Sequence, residues 1–159
     1  MISAIVAVDE NWGIGSNNEL LERIPEDLKR FKKLTDENTV VMGRKTWDSL
    51  PVKPLPNRFN IVISRQEKQY EPNSFTWVIT LEKCIQTMLN DDIDDYFIIG
   101  GGQIYKELLP FCGRVYVTKI FKSHENVDTY FPNLDEPEEW NTWKVTEQSK
   151  TYTYNDLMY

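Results

Sequence analysis

The sequence predicts a three-layer α/β domain: a mostly parallel mixed sheet of about eight strands, helices on both faces and a C-terminal antiparallel hairpin. Three observations carry this expectation. Short apolar runs rich in β-branched residues recur along the chain, as in strands covered on both faces. Segments with helical spacing separate them, which favours parallel crossovers. The final stretch, Trp140–Tyr159, instead alternates and is rich in aromatics, as a hairpin is. No linker-like tract, low-complexity segment or repeat interrupts the 159 residues, so one domain spanning 1–159 is expected.

Ile2–Val8 (ISAIVAV) is the first strand. Asp9–Arg23 follows as a polar, glycine-bearing loop, of a length usually reserved for lids and binding loops. Pro25 opens a helix with Glu26 and Asp27 in its first turn and Lys29, Arg30, Lys32 and Lys33 beyond, in accord with the helix dipole. Leu28, Phe31 and Leu34 form its inward stripe, and Asp27 borders that stripe. Thr39–Met42 is a strand ending at Gly43, and Lys45–Leu50 a short helix. Phe59–Ser64 and Phe75–Ile79 are strands, and Leu81–Leu89 is a helix. Tyr96–Ile99 runs straight into Gly100-Gly101-Gly102, after which Gln103–Leu109 is a helix stopped by Pro110. Arg114–Phe121 is the strand before the hairpin.

Composition narrows the function classes. A net charge of −7 repels phosphate backbones and anionic membrane surfaces, so nucleic-acid and lipid-surface binding are not expected. No apolar run reaches the length of a membrane span, and MISAIVAVDENWG has neither the basic start nor the cleavage site of a signal peptide. Cys84 and Cys112 form no C-x-x-C pair and no disulfide framework. A cytoplasmic protein is the expectation. A local basic patch for a small anionic ligand remains compatible with the overall charge.

In parallel sheets ligands bind outside the carboxyl ends of the strands, so the residues after each strand matter most. Gly100-Gly101-Gly102 lets backbone approach a ligand and aims N–H groups at a phosphate, although a tight turn alone would also use these glycines. Gly43-Arg44-Lys45-Thr46 and Ser64-Arg65 each place a small or hydroxyl residue beside an arginine, and arginine with a hydroxyl suits a phosphate monoester. Together the three loops favour a nucleotide, and the doubled arginine favours a 2′-phosphorylated one. Asp27, at the edge of an apolar stripe, suits pairing with a cationic or amidine-like ligand edge, or proton transfer. His124 sits in the polar stretch KSHENVD without metal-ligand neighbours and reads as structural or solvated. No metal site and no histidine-based triad are expected.

Taken together, the segments resemble dihydrofolate reductase from end to end. IVAVDENWGIG resembles that family's opening strand and mobile loop, PEDLKRFKKLT its substrate helix, and VVMGRKTWDSLP its GR-x-T-x-x-S signature. PLPNRFNIVISR, IIGGGQIY, VYVTKI and DTYFP match further family segments in the same order. The resemblance implies hydride transfer from NADPH to 7,8-dihydrofolate, giving 5,6,7,8-tetrahydrofolate, by a monomer open to diaminopyrimidine antifolates. By the same resemblance Asp27 is the catalytic residue, binding the N3/2-amino edge of the pterin and helping to protonate N5 through water. Ile5, Val6, Leu20, Leu28, Phe31, Lys32, Leu50, Leu55, Ile99 and Tyr105 match substrate-binding positions, with Arg58 on the α-carboxylate of the glutamate tail and Thr118 orienting the acid. Ala7, Ile14, Gly15, Gly43, Arg44, Lys45, Thr46, Ile63, Ser64, Arg65, Ile99, Gly100, Gly101, Gly102, Gln103, Ile104 and Tyr105 match cofactor-binding positions, the Gly100-Gly101 bond being cis in the family.

Two departures stand out. Glu22 occupies the place of a tryptophan that walls the pterin in the family, and Gln103 that of a common arginine. Glu22 would either approach Asp27 or pair outward with Arg23 or Lys29. The competing readings are a same-fold reductase of another pterin or a pyrimidine, and a nucleotide-binding module without turnover. Arg58 argues against the first, because a tail-binding arginine serves only a glutamylated substrate. Asp27 argues against the second.

Overall fold

The structure, a computed structural model, describes residues 1–66, 75–136 and 143–159. The chain begins with β1 (Ile2–Val8), β2 (Gly13–Ser16), β3 (Glu19–Leu20), α1 (Pro25–Thr35), β4 (Thr39–Gly43) and α2 (Arg44–Ser49). It continues through β5 (Phe59–Ile63), β6 (Thr76–Ile79), α3 (Leu81–Leu89), β7 (Tyr96–Gly100) and α4 (Gly102–Leu108), with a 3-10 turn at Leu109–Phe111. β8 (Arg114–Lys119), β9 (Thr129–Tyr130), β10 (Thr153–Tyr154) and β11 (Leu157–Met158) complete it.

The central sheet has six strands in the order β6-β5-β4-β7-β1-β8, all parallel. Its strands alternate sides with period two. Ala4, Val6, Val8, Val41, Ile61, Ile63 and Ile98 point to the layer holding Cys84 and Met88 of α3 and Tyr105 and Leu108 of α4. Ile5, Val40, Met42, Val62, Phe97 and Ile99 point to the other, with Leu34 of α1 and Trp47 of α2. Both faces are covered, which explains the near-continuous apolar strands.

The expected sheet of about eight strands resolves into six central strands and two small antiparallel sheets. The segment Asp9–Arg23, expected as a loop, contains β2 and β3, which pair with each other and with β9. Asn17 and Asn18 turn this hairpin with φ of 52° and 62°, the left-handed pair that a two-residue turn needs. The C-terminal hairpin turns likewise on Asn155 and Asp156 and pairs from Tyr152 to Tyr159. Residues 143–151 precede it without strand pairing, and the expected start at Trp140 lies outside the described residues. One hydrogen bond, Phe121 N–H to the Met158 carbonyl at 2.9 Å, joins the hairpin to the end of β8.

α1 begins at Pro25, with Ile24 at its N-cap supplying no capping side chain. α3 begins on Thr80, whose Oγ1 accepts from the Lys83 N–H. Between α3 and β7, Asp91 accepts from the Tyr96 hydroxyl at 2.7 Å and from the Ile93 and Asp94 N–H groups. These donors, Tyr96 first, hold its carboxyl down at about 2. A carboxyl lowered on folding stabilises fully above its ordinary value and loses that contribution as pH falls through its folded one. Asp91→Asn is therefore expected to lower the urea midpoint near neutral pH. The deficit should vanish as pH falls toward about 2, which urea titrations across the acid range would measure.

Candidate active site

β1 lies between β7 and β8, and β7 between β4 and β1, so the sheet changes winding direction around its central strands. β4 and β7, neighbours there, both end in glycine. A side chain on Gly43 would meet Ile104 Cγ1 at 2.9 Å, and one on Gly100 or Gly101 would meet Thr46 Oγ1 at 3.3 Å. Gly100 has φ +132°, a value L side chains rarely adopt, and its bond to Gly101 is cis. On Gly102 a side chain would strike Thr129 of β9. The glycines thus form a cradle in which backbone, Thr46 and Ile104 lie together. Around it Arg44, Lys45, Arg65 and Gln103 are exposed, and Ser64 Oγ accepts from the Gln66 N–H at 3.3 Å. Arg44 pairs only loosely with Asp48, at 3.8 Å.

On the α1 side of the sheet Ile5, Leu50, Leu55 and Ile99 share one apolar cluster with Leu34 and Trp47. Phe31 is half-buried, whereas Leu28 is 40% exposed, so the stripe expected to face inward opens at its first position. Leu20 and Lys32 are exposed. Val6 and Ile63 face the opposite core, and the Tyr105 hydroxyl donates to the Ile5 carbonyl at 2.6 Å. These three side chains pack on the face of the sheet opposite the Ile5–Ile99 cluster. Burial pushes the Tyr105 phenol well above its ordinary range, so it stays a donor.

Asp27, half-buried in the first turn of α1, spans to β8: Thr118 Oγ1 donates to its Oδ1 at 2.5 Å. Thr118 lies opposite Ala7 of β1. Arg58 is buried, with Nε donating to the Pro56 carbonyl at 2.9 Å and Nη1 to Thr35 Oγ1 at 3.0 Å. Neither bond uses Nη2, and the guanidinium lies 5.9 Å from the Phe31 ring centroid. Burial lowers its pKa, against the pull of Asp36.

Sequence reasoning missed the supports of this arginine. Asn60, buried inside β5, accepts from the Leu55 N–H and donates to the carbonyls of Leu55 and Arg58. A lone amide within an apolar strand was the available signal. Thr35, which anchors Arg58, is buried at the end of α1.

Glu22 takes neither expected course. Its Oε1 lies 2.9 Å from His124 Nε2 and accepts from Lys122 Nζ at 3.2 Å, while Lys29 pairs with Glu26. His124 is not solvated: its other ring nitrogen lies 3.2 Å from Asp9 Oδ2. Asp128 accepts from the Asn17 N–H and its own N–H donates to the Gly15 carbonyl, holding the β2–β3 hairpin near Ile14 and Gly15. Cys84 and Cys112 are free thiols, each pushed up to about 12 by burial. Among the described residues no group of His, Cys, Asp and Glu is placed to hold a metal, and no helix is long and apolar enough to cross a membrane.

Glycine backbone at the ends of β4 and β7, and a carboxylate beside an apolar wall at the same edge of the sheet, define an α/β domain that gathers polar and glycine residues at the carboxyl ends of its strands. The dihydrofolate reductase family model matches residues 1–159. Dihydrofolate reductase of Bacillus subtilis is 37% identical over 168 aligned residues, covering 100% of this chain and 94% of its own length. That of Neisseria gonorrhoeae is 40% identical, covering 99% and 96%, and that of Schistosoma mansoni 40%, covering 84% and 79%. The chain belongs to the dihydrofolate reductase family and is an oxidoreductase.

The Asn60 network carries a prediction. Asn60→Ala leaves the Leu55 amide and two carbonyls without their partner, at about 1–3 kcal/mol for each buried group left unpaired. Chemical denaturation should show a loss within that range or above it. Relative to the parent, the variant should also lose more affinity for a glutamylated ligand than for one without the glutamate.

Proposed function

We propose that the protein reduces 7,8-dihydrofolate to 5,6,7,8-tetrahydrofolate with NADPH, supplying one-carbon metabolism. The observation that carries this reading is the Asp27–Thr118 pair at 2.5 Å beside the apolar face of Ile5, Leu50 and Ile99. A carboxylate with two acceptor oxygens matches the N3/2-amino edge of a pterin in bidentate fashion. Thr118 occupies one lone pair of Oδ1 and fixes the plane in which that edge is met. Asp27 also biases the pterin toward taking a proton at N5 through water. Ile5, Leu28, Phe31, Leu50 and Ile99 exclude solvent from the planar ring. Arg58, pre-set by Pro56 and Thr35, offers Nη2 to the α-carboxylate of the glutamate tail, which separates this reading from a reductase of an untailed pterin or pyrimidine.

The glycine cradle fits a dinucleotide, because side chains at Gly43, Gly100 and Gly101 would meet Ile104 and Thr46 where backbone now lies. When bound, NADPH supplies the hydride. Gly43, Thr46 and Gly100–Ile104 would hold its pyrophosphate half, and Arg44, Lys45, Ser64 and Arg65 its 2′-phosphate. Ala7, Ile14 and Gly15 would border the nicotinamide from β1 and the β2–β3 hairpin. One chain carries every group in this reading, which supports a working monomer, and a cytoplasmic setting belongs to the same proposal. A diaminopyrimidine presents the same amidine-like edge and would compete for Asp27.

Three outcomes test it. NADPH absorbance should decay when dihydrofolate is added, and absence of decay above background overturns the reading. Asp27→Asn should cut turnover near neutral pH by about 10²–10⁴-fold, the usual share of a positioned acid, while leaving NADPH affinity intact. Arg65→Ala should raise KM for NADPH by roughly tenfold or more, the effect of a lost charge-assisted hydrogen bond, and leave KM for NADH nearly unchanged.

A further inference from the structure

His124, the only histidine of the chain, joins three segments around the Asp27 site. From the stretch after β1, Asp9 Oδ2 takes the His124 backbone N–H at 3.1 Å and faces its Nδ1 at 3.2 Å. From the stretch before α1, Glu22 Oε1 faces Nε2 at 2.9 Å. The imidazole is 11% exposed and Asp9 1%. A neutral imidazole has one N–H and one lone pair, and an ionised carboxylate offers only acceptors. One of the two contacts would then set a lone pair against a carboxylate oxygen. The imidazolium donates to both.

Both carboxyls that face the ring are held on the ionised side. Glu22 is held ionised below its ordinary range chiefly by the hydrogen bond to His124, with Lys122 assisting against burial. Burial pushes the Asp9 carboxyl up, but the N–H groups of Gly13, Asn11 and His124 more than reverse this. Lys122 donates to Glu22, and Glu19 and Glu125 line the open hollow beside it. The cluster also sits in a telling place. Glu22 lies five residues before Asp27, and His124 six after Thr118. Glu22–His124 and Asp27–Thr118 are thus two rungs between the same pair of chain segments. Since α1 starts on Ile24 without a capping side chain, its entry depends on contacts outside the helix.

We propose that Asp9, His124 and Glu22 form a charge-operated clamp, with His124 as imidazolium, that positions Asp27 against Thr118, so that His124 is a positioning residue for the reduction. Loss of the ring proton slackens the outer rung and weakens the hold of the inner one on the pterin edge. The link to the pterin rests on the function proposed above; the clamp itself does not.

A lone histidine makes the test direct. In the full chain the ring signal of His124, followed by NMR over about pH 5–8, should share one titration midpoint with the amide signals of Glu22, Asp27 and Thr118. His124→Gln should abolish that shared titration and raise KM for dihydrofolate by about tenfold, the effect of one lost charge-assisted hydrogen bond, with kcat little changed. It should also flatten the pH dependence of KM over that range. His124→Lys, which keeps a positive donor between the two carboxylates, should recover most of the lost KM. Amides that stay still while the ring titrates, or a His124→Gln variant with the pH profile of the parent, overturn the clamp. Absence of dihydrofolate turnover would remove the proposed reaction but leave the NMR coupling to decide the clamp.

Discussion

A parallel sheet covered on both faces leaves its chain one place to meet a small ligand, the carboxyl ends of its strands. Every pairing in the six-stranded sheet is parallel, so the ends of β1, β4, β7 and β8 lie at one edge. Gly43 ends β4, Gly100 ends β7, and Thr118 lies one residue before the end of β8. The period-two alternation sorts what lies behind that edge. Ile5 and Ile99 fall on the α1 side, with Leu50 and Leu55, while Val6 and Ile63 fall on the side of α3 and α4. One register therefore assigns an apolar wall to the layer that carries Asp27 and leaves the glycine cradle at its margin.

Placement within that edge comes from polar groups that are buried and paired. Among the described residues no buried side-chain nitrogen or oxygen lacks a partner. Arg58 is held by Pro56 and Thr35, and the turn beneath it by Asn60. Tyr105 ties α4 to the Ile5 carbonyl across 100 residues of sequence. Such bonds contribute modestly when made and cost about 1–3 kcal/mol when broken from one side, so they specify position more than they add stability. An arginine pre-set in this way would lose little freedom on engaging a carboxylate.

The parallel core, the helices on both faces and the glycine turn were legible because each rests on a local pattern. β-branched runs mark the strands, Pro25 and the Glu26/Asp27 pair mark α1, and the triglycine marks the end of β7. The β2–β3 hairpin was hidden, although Asn17-Asn18 is the turn chemistry it uses, because its strands are two to four residues long and lack apolar alternation. Asp27 was singled out by its place beside an apolar stripe, but Thr118, 91 residues away, had no local signal and entered only through the family resemblance. The partners of Glu22 were missed for the same physical reason. Lys122 and His124 are about a hundred residues distant, and only the return of β8 beside β1 brings them back.

Position 22 shows how a charge is accommodated where the family resemblance leads one to expect an aromatic wall. A carboxylate five residues from Asp27 would add like charge beside it if the two approached. Here it is held by Lys122 and His124, and the histidine is itself backed by Asp9, whose carboxyl also collects the N–H groups of Asn11 and Gly13. Packing against a ring has been exchanged for a chain of charged hydrogen bonds reaching from the end of β1 to the start of α1. Dispersion contacts are indifferent to protonation, whereas a carboxylate–imidazole–carboxylate chain needs its central proton to be complete. The exchange therefore makes the entry to α1, and with it the setting of Asp27, answer to a proton that the aromatic arrangement would ignore.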